Sequence, residues 1–189
     1  MKLFIKGERI ILIVLFAFIF FLLFYQLGSN FLTNWDEAWY ADISRNIARN
    51  GNLITTIWNK NHFFEKSPFY FWLTALSFKL LGISEFSARF PSALSGVGIV
   101  LIMYFFVKEY FNRYISILSL LILFSSPFFL FRTRTGNLDT LLTFWMVLSL
   151  FAFINAVDKN PKWFYIFGVS VALGFLTKGI IGFYPFFVG

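Results

Sequence analysis

The chain contains no cysteine and a single histidine, and these absences exclude several kinds of site. Without cysteine there is no disulfide, no thiolate metal ligand and no cysteine nucleophile. The lone histidine, His62, has no second histidine with which to share a metal ion. The sequence therefore assigns no cofactor, and a divalent metal stays open only through ligands from beyond residue 189.

Charge is also scarce, since charged residues make up 13% of the chain and hydrophobic residues 59%. A soluble domain of this length needs a polar exterior, and nine acidic residues beside thirty phenylalanines do not supply one. The composition excludes a water-soluble domain and a disordered chain. It predicts an all-α polytopic membrane protein.

The net charge of +7 raises the question of nucleic-acid binding. Residues 88–189 hold eight basic and three acidic side chains, but these are scattered between apolar runs. A nucleic-acid interface needs a basic stripe on a soluble face. We therefore expect no nucleic acid among the partners.

Five apolar runs are long enough to cross a bilayer as helices, which takes about 20 residues each. They cover residues 10–27, 88–107, 114–131, 138–157 and 163–183. No small-residue cleavage site follows the first run, so it is interpreted as an uncleaved helix and not as a signal peptide. The prediction is one membrane domain over residues 1–189, with a long first outer loop over residues 28–87.

Basic turns give these helices an orientation. With the N-terminus in the cytoplasm, the turns at 108–113 and 158–162 fall inside, and each carries two basic residues. This agrees with the tendency of cytoplasmic loops to be positive. The 28–87 loop and the 132–139 turn are then predicted to lie on the extracytoplasmic face.

The apolar stretch at 69–81, within the long loop, leaves two interpretations open. It is about 13 residues long and contains Lys79, which is typical of an interfacial or re-entrant helix. If it spanned the membrane, every later turn would change sides and the basic turns would face outwards. The charge rule favours the interfacial interpretation.

The same loop contains an earlier helix signal. Asn34 and Glu37 approximate a capping box, and Asn50-Gly51 supplies a stop. An apolar stripe recurs every four residues between them, formed by Trp35, Trp39, Ile43 and Ile47. This pattern predicts an amphipathic helix on the membrane surface. The acids in its first turn, Asp36 and Glu37, are explained either by the helix dipole or by a function.

Further charged residues fall on the same predicted face, near membrane depth. They are Glu65, Lys66, Arg132, Arg134, Asp139 and Lys178. Each has an ordinary explanation, since an interfacial lysine extends its amine to water and neighbouring arginine and aspartate neutralise each other. Charges at such depth are costly, however, and usually functional or paired. With Asp36, several cations and few acids suit chemistry on a lipid-linked phosphate.

Four segments also carry a resemblance to a known family. In chain order over residues 30–182 they are NWDEAWYADISRNIARNGNL, FFEKSPFYFWLTALSFKLLG, SEFSARFPSALSGVGIVLIMYFFVKEYF and GFLTKG. The chain resembles the N-terminal part of membrane glycosyltransferases with the GT-C fold. Within that group it is most similar to bacterial aminoarabinose (lipid A) transferases and dolichyl-phosphate-mannose–protein mannosyltransferase-like enzymes.

The resemblance implies an inverting transfer of a sugar from a polyprenyl-phosphate carrier to a lipid or protein acceptor, outside a bacterial plasma membrane. Asp36 matches the catalytic acid of the family, which implies that it is the general base. Lys66 is implied to contact the carrier phosphate. The remaining residues implied or considered as substrate-binding are Glu37, Tyr40, Glu65, Arg132, Arg134, Asp139 and Lys178.

The chain departs from the family pattern at three positions. Arg is usual in place of Trp39, a second Pro is usual in place of Ser67, and the context of Asp139 differs. These departures concern the substrate more than the reaction class. Family members have more membrane helices, so we expect a fragment that is inactive on its own. The other function left open is a small non-catalytic membrane protein that binds lipid head groups through residues 28–87.

Overall fold

The structure, a computed structural model, describes residues 2–33, 35–59 and 61–188, of which 2–11 and Val188 are described as backbone alone. In this part nine α-helices occur. They are α1 (Lys2–Phe24), α2 (Asp36–Asn50), α3 (Phe69–Leu81), α4 (Glu85–Tyr110), α5 (Arg113–Ser125), α6 (Pro127–Thr133), α7 (Leu138–Asp158), α8 (Trp163–Lys178) and α9 (Tyr184–Val188). A short antiparallel hairpin of β1 (Ile57–Trp58) and β2 (Asn61–His62) precedes α3, and a 3-10 turn over Gly179–Phe183 follows α8.

Side-chain caps explain where several helices begin. The Ser84 hydroxyl accepts the N–H of Ser87 at 3.2 Å, and the Ser87 hydroxyl accepts the N–H of Ser84 at 3.0 Å, which makes a capping box before α4. Asn112 and Asn137 each accept an N–H three residues further on, at 3.0 and 2.9 Å, before α5 and α7. Such caps satisfy N–H groups that have no partner inside the helix, and each contributes about 1 kcal/mol.

Three helices in the described residues are long and apolar enough to cross a membrane. They are Glu85–Tyr110, Leu138–Asp158 and Trp163–Phe187. The α5–α6 pair makes a fourth span if it is counted as one broken helix. Two apolar helices are shorter, namely α3 and the part of α1 over Leu12–Phe24. The chain is therefore an integral membrane protein with a largely helical fold.

The run predicted as one membrane span over residues 114–131 consists of two helices with a sharp bend between them. The axes of α5 and α6 differ by 76° at a break between Ser125 and Pro127. Proline has no N–H to donate and disfavours a helical residue before it, so the chain leaves the helix at Ser126. The Ser126 hydroxyl then caps α6 by accepting the N–H of Phe129 at 3.4 Å.

The long helices α4 and α7 run parallel to each other. At one end the Ser92 hydroxyl of α4 donates to the Asn137 carbonyl at 3.1 Å, just before α7 begins. At the other end the Tyr110 hydroxyl donates to Asp158 at 2.9 Å. An ion pair between Glu109 and Lys159 also joins the helices there, beside the two basic turns of the sequence.

The first end gathers most of the polar chemistry, and we call it the polar end. An ion pair joins the start of α2 to α4. Two ion pairs join the start of α7 to the ends of α6 and α8, and a hydrogen bond joins the loop after α6 to the residue that follows α1. The 28–87 segment therefore contributes α2, the hairpin and α3 to this end.

The helix predicted in the long loop is present as α2. It ends at Asn50, and Gly51 has a φ of 72°, with its N–H bonded to the Ile47 carbonyl at 2.9 Å. This left-handed residue confirms the predicted stop, because glycine adopts that conformation at low cost. Asn34, which the sequence suggested as the capping residue, lies outside the described residues.

The apolar stripe of α2 packs largely against protein and not against lipid, while the predicted place of this helix at the membrane surface stays a prediction. Ile43 is 0% exposed and Ile47 is 3% exposed, and both belong to a cluster with Tyr70 and Phe71 of α3. Burying an apolar side chain of this size contributes about 1.5–3 kcal/mol. Of the stripe, Trp35 remains exposed, and Trp39 is partly buried.

Candidate functional site

Asp36 is the first residue of α2, and its side chain is exposed at the polar end. One turn further on, Tyr40 is only 4% exposed, and its hydroxyl interacts electrostatically with the Asp36 carboxylate. Burial and the interaction with the negatively charged Asp36 raise the pKa of Tyr40 above its ordinary value. The hydroxyl therefore stays protonated near neutral pH.

The negative charge of Asp139 also raises the pKa of Tyr40, which places Asp139 in the same electrostatic neighbourhood. The Tyr40 ring packs edge-on to Tyr70, with ring centroids 6.0 Å apart, and against Phe71 at 5.5 Å. These contacts hold the tyrosine between α2 and α3. Two carboxylates from distant parts of the chain therefore act electrostatically on one buried hydroxyl.

Glu37, the next residue after Asp36, is buried at 4% exposure and is fully bonded. Its Oε1 accepts from Arg89 Nε at 2.7 Å and from the Gly136 N–H at 2.8 Å. Its Oε2 accepts from Arg89 Nη2 at 3.1 Å, and from the N–H and hydroxyl of Thr33 at 2.7 and 2.9 Å. These contacts support a structural role for Glu37, and substrate contact by it stays a prediction.

Arg89 is 5% exposed near the start of α4, and it completes this cluster. Its Nη1 donates to the carbonyls of Leu27 and Asn30 at 2.8 and 2.9 Å, and its Nη2 donates to the Phe31 carbonyl at 3.0 Å. The guanidinium therefore binds both the Glu37 carboxylate and the segment between α1 and α2. A planar fork of donors can satisfy all these acceptors at once.

The pKa of Glu37 reflects two opposing effects. Burial alone would raise it, because burial disfavours the charged form. The hydrogen bonds from Arg89, Gly136 and Thr33, together with the positive charge of Arg89, outweigh burial and lower the pKa below its ordinary value. The Glu37 carboxylate is therefore ionised at neutral pH.

A second ion cluster joins three predicted site residues from three helices. Asp139 Oδ2 bonds to the Arg132 guanidinium, and Asp139 Oδ1 bonds to the Lys178 amine. The side chains are partly exposed, at 40% for Asp139 and 32% for each cation. The structure therefore brings together cations that the sequence separates by 46 positions, and it leaves them accessible.

A cavity of about 430 Å³ opens beside this cluster. Its lining combines the charged pair with hydroxyl groups and aromatic rings, and it consists of Ile99, Ser126, Phe128, Phe129, Arg132, Thr133, Asp139, Thr140 and Thr143. A larger cleft of about 540 Å³ between α3, α4 and α7 is lined almost wholly by apolar side chains. Cavities of this size suit small ligands or parts of lipids.

Glu65 and Lys66 lie exposed in the loop between the hairpin and α3. Neither side chain makes a hydrogen bond or ion pair with another residue in the described part of the chain. The loop approaches the end of α8, because the Ser67 hydroxyl lies 4.0 Å from the position that a Cβ on Gly179 would take. Lys66 is therefore an available cation in a loop that approaches the residue after Lys178.

Arg134 does not join the cluster of Arg132, although the two arginines are only two positions apart in the sequence. Its guanidinium donates to the Leu22 carbonyl and, at 2.7 Å, to the Tyr25 carbonyl. These carbonyls belong to the end of α1, where backbone acceptors lack partners within the helix. Arg134 lines a separate cavity of about 480 Å³ with Arg89, and its predicted substrate contact remains a prediction.

The sequence reasoning missed Arg89 and the hydrogen bonds between Ser92 and Asn137. A single arginine within an otherwise apolar helix was an available signal, because charge at membrane depth is usually functional or paired. Its partner Glu37 lies 52 positions away, which no local spacing reveals. As for metals, no three His, Asp or Glu side chains gather into a possible metal site in the described ranges.

The family of the chain follows from comparison with known sequences. Residues 65–188 match the family described as dolichyl-phosphate-mannose-protein mannosyltransferase. The chain belongs to this family. The resemblance found in the four sequence segments is thereby confirmed.

Individual relatives and solved structures agree with the family. The chain is 32% identical over 170 residues to the undecaprenyl phosphate-alpha-4-amino-4-deoxy-L-arabinose arabinosyl transferase of Wigglesworthia glossinidia brevipalpis, covering 86% of this chain and 30% of that protein. It overlays crystal structures of ArnT from Cupriavidus metallidurans. For the apo state the TM-score is 0.86 at 25% identity, covering 95% of this chain and 34% of that one.

For ArnT bound to undecaprenyl phosphate, the TM-score is 0.85 at 27% identity, covering 90% of this chain and 33% of that one. The chain therefore spans about a third of the length of these relatives. As a family member, it forms a GT-C-like helical membrane unit that corresponds to one part of such a protein.

Proposed function

We propose that the protein to which this chain belongs transfers a sugar from a polyprenyl-phosphate carrier to an acceptor hydroxyl outside a bacterial plasma membrane. One observation carries the proposal: the exposed Asp36 carboxylate and the Asp139 carboxylate, which holds two accessible cations, both act on the Tyr40 hydroxyl, in a fold that closely overlays ArnT with undecaprenyl phosphate bound. A carboxylate with cations nearby suits a reaction in which one oxygen loses a proton and a phosphate departs.

In this reaction Asp36 acts as the general base. The acceptor oxygen attacks the anomeric carbon, and its proton passes to the Asp36 carboxylate. The bond between that carbon and the phosphate oxygen breaks, and the phosphate leaves with the bonding electrons. Attack from the side opposite the leaving group inverts the configuration of the sugar. The buried Tyr40 hydroxyl, which interacts with Asp36, is proposed to donate to this carboxylate and keep it aimed.

The cations stabilise the leaving phosphate. Lys66 has no partner in the described part of the chain, and Arg132 and Lys178 share the Asp139 carboxylate. When a phosphate enters, these cations exchange part of their contact with Asp139 for contact with the phosphate, which costs little in a partly exposed cluster. Positive charge placed where negative charge develops lowers the barrier. Glu65 in the adjoining loop is proposed to contact the sugar.

The apolar surfaces beside the cluster suit the carrier chain. The 430 Å³ cavity has Phe128 and Phe129 next to Arg132, and the 540 Å³ cleft is lined almost entirely by apolar groups. A phosphate at the cations would leave the isoprenoid chain free to follow one of these surfaces. Burying hydrocarbon contributes about 25 cal/mol per Å² of apolar area.

We also propose five spans: α1, α4, the bent α5–α6 pair, α7, and α8 with the turn after it. The polar end then faces outwards and the N-terminus lies in the cytoplasm. In support, Lys108, Arg113, Lys159 and Lys162 belong to the turns at the opposite end, where a positive-inside orientation needs them. In this arrangement α2 and α3 lie at the outer interface.

The test is transfer by the whole protein in membranes, with undecaprenyl-phosphate-linked 4-amino-4-deoxy-L-arabinose as donor. Asp36→Asn is expected to lower kcat roughly 10²–10⁴-fold, the usual contribution of a general base, with normal membrane insertion. Asp42→Asn, on the exposed side of the same helix, is the matched control and should transfer normally. Full activity of Asp36→Asn would remove the base assignment.

The same assay separates this function from the non-catalytic alternative. A lipid-binding protein would bind undecaprenyl phosphate through Lys66 and release no sugar-bearing product. The anomeric configuration of the product, read by NMR, tests the inversion. A product with retained configuration would contradict the single-displacement step.

A further inference from the structure

We propose that the buried Glu37–Arg89 pair positions Asp36 for proton transfer, and that it does so without touching either substrate. This inference rests on the proposed function, because it concerns the step that Asp36 carries out. Glu37 follows Asp36 directly in the chain. Whatever fixes the start of α2 at Glu37 therefore also fixes where the neighbouring carboxylate points.

The pair ties the entry of α2 to α4. Arg89 donates to three carbonyls of the segment between α1 and α2, at 2.8–3.0 Å, and Glu37 accepts the N–H of Thr33 in that segment at 2.7 Å. The exposed Asp36 has no comparable set of anchors among the described residues, although its charge acts on the neighbouring Tyr40 hydroxyl. Its position depends on the anchored backbone on both sides of it.

The pair also sets the spacing between α2 and the loop before α7. Glu37 Oε1 accepts the Gly136 N–H at 2.8 Å, three residues before Asp139. A Cβ on Gly136 would lie 3.3 Å from Glu37 Cγ and 3.3 Å from the Ala88 carbonyl oxygen, closer than ordinary van der Waals contact. Glycine allows this close approach without displacing a neighbour, so the start of α2 and the segment that leads into α7 meet at Glu37.

Stability alone is a weak reason for such a pair. Burying two charges costs much of what their attraction returns, and apolar replacements of similar volume often stabilise a protein equally well. Directional hydrogen bonds fix the relative position of two elements more accurately than apolar contact does. A bidentate fork with defined angles fixes two elements in one relative position, and a catalytic group needs that accuracy.

The first test is Arg89→Lys in the whole protein. Lysine keeps the charge, but its single nitrogen cannot reach both carboxylate oxygens and three carbonyls. We expect kcat to fall roughly 100-fold, the cost of a displacement of about 1 Å at a reacting group, with KM for the donor nearly unchanged. Arg45→Lys is the matched control, because Arg45 forms an exposed pair with Asp42 on the same helix, and it should match the wild type.

Two outcomes would overturn the proposal. A folded Arg89→Lys protein with wild-type kcat would show that Asp36 does not depend on the pair. A raised KM with unchanged kcat would show that the pair serves substrate binding. Asp36→Asn in the same assay keeps the two proposals separate. If Asp36→Asn transfers sugar normally, the proposed role of Asp36 fails. If Asp36→Asn loses transfer activity while Arg89→Lys keeps it, only the positioning role of the pair fails.

Gly136→Ala keeps the test decisive if Arg89→Lys does not fold. This variant leaves both charges in place, and the Cβ of the new alanine crowds Glu37 Cγ and the Ala88 carbonyl oxygen at 3.3 Å and the Tyr70 hydroxyl at 3.4 Å, so that these neighbours must give way by a few tenths of an ångström. We expect roughly a tenfold lower kcat with unchanged KM for the donor, a smaller effect than a full displacement. Wild-type kcat in a folded Gly136→Ala protein would reduce the pair to a folding role and contradict the proposal.

Discussion

Two ion clusters lie at the same end of this membrane unit, and they differ in almost every physical respect. Glu37 and Arg89 are 4% and 5% exposed, and their charged groups are surrounded by further hydrogen bonds. Asp139, Arg132 and Lys178 are 32–40% exposed and adjoin a cavity. Both clusters join helices that are distant in the chain.

The difference indicates different tasks. A buried and fully bonded pair cannot exchange partners without leaving a charge unsatisfied, so it suits a permanent connection. A partly exposed cluster exchanges its partners at small cost, because water screens each charge during the exchange. The first cluster therefore suits architecture and the second suits a phosphate that arrives and leaves.

The largest effect is expected for removal of Arg89. Arg89→Ala leaves Glu37 buried without its counter-ion and should reduce the free energy of unfolding by about 3–5 kcal/mol. Arg132→Ala, in the exposed cluster, should reduce it by about 1 kcal/mol or less. Thermal unfolding of both variants in detergent measures the difference. Equal losses would remove the distinction between the clusters.

The next effect concerns pH and the same buried pair. Because the folded protein lowers the pKa of Glu37 below its ordinary value of 4.5, the pair stabilises the fold fully above about pH 4.5. That stability should be lost as the pH falls through the folded pKa. A Glu37→Gln protein should be less stable at neutral pH and lack this part of the acid dependence. An unchanged acid profile in Glu37→Gln would contradict the assigned partner.

A smaller effect is expected for Arg134, which binds the end of α1. Arg134→Gln should lower stability by about 1–2 kcal/mol through lost bonds to the carbonyls of Leu22 and Tyr25. Its affinity for undecaprenyl phosphate should not change, since Arg134 lines a separate cavity. A parallel loss of phosphate affinity would instead join Arg134 to the exposed cluster.

Hydropathy and end signals were enough to predict most helices. The apolar runs at 88–107 and 138–157 fall within α4 and α7, and 69–81 coincides with α3. The stop at Gly51 was readable because a left-handed residue has a strong local preference for glycine. Hydropathy alone did not predict the break at Pro127, because an average over apolar residues does not depend on whether a backbone N–H is missing.

The sequence named the charged residues of the exposed cluster, whose roles stay predictions, but it did not indicate the pairing of Glu37 with Arg89. The motif around Asp36 and the charges on the outer turns suggested which residues to consider. The division between the clusters depends on Arg89 meeting Glu37 across 52 positions, and on Arg132 and Arg134 turning to different partners. Such contacts arise from tertiary packing, which single-sequence patterns do not encode.

The most direct measurement is the affinity of the whole protein for undecaprenyl phosphate, taken together with the thermal midpoint of each variant. Arg132→Gln and Lys178→Gln should each weaken binding about tenfold or more, the loss of one charge-assisted bond, with a nearly unchanged midpoint. Arg89→Lys should lower the midpoint and keep the affinity. The reverse pattern, with stable but non-binding Arg89→Lys and unstable but binding Lys178→Gln, would contradict the assignment of structure to one cluster and phosphate binding to the other.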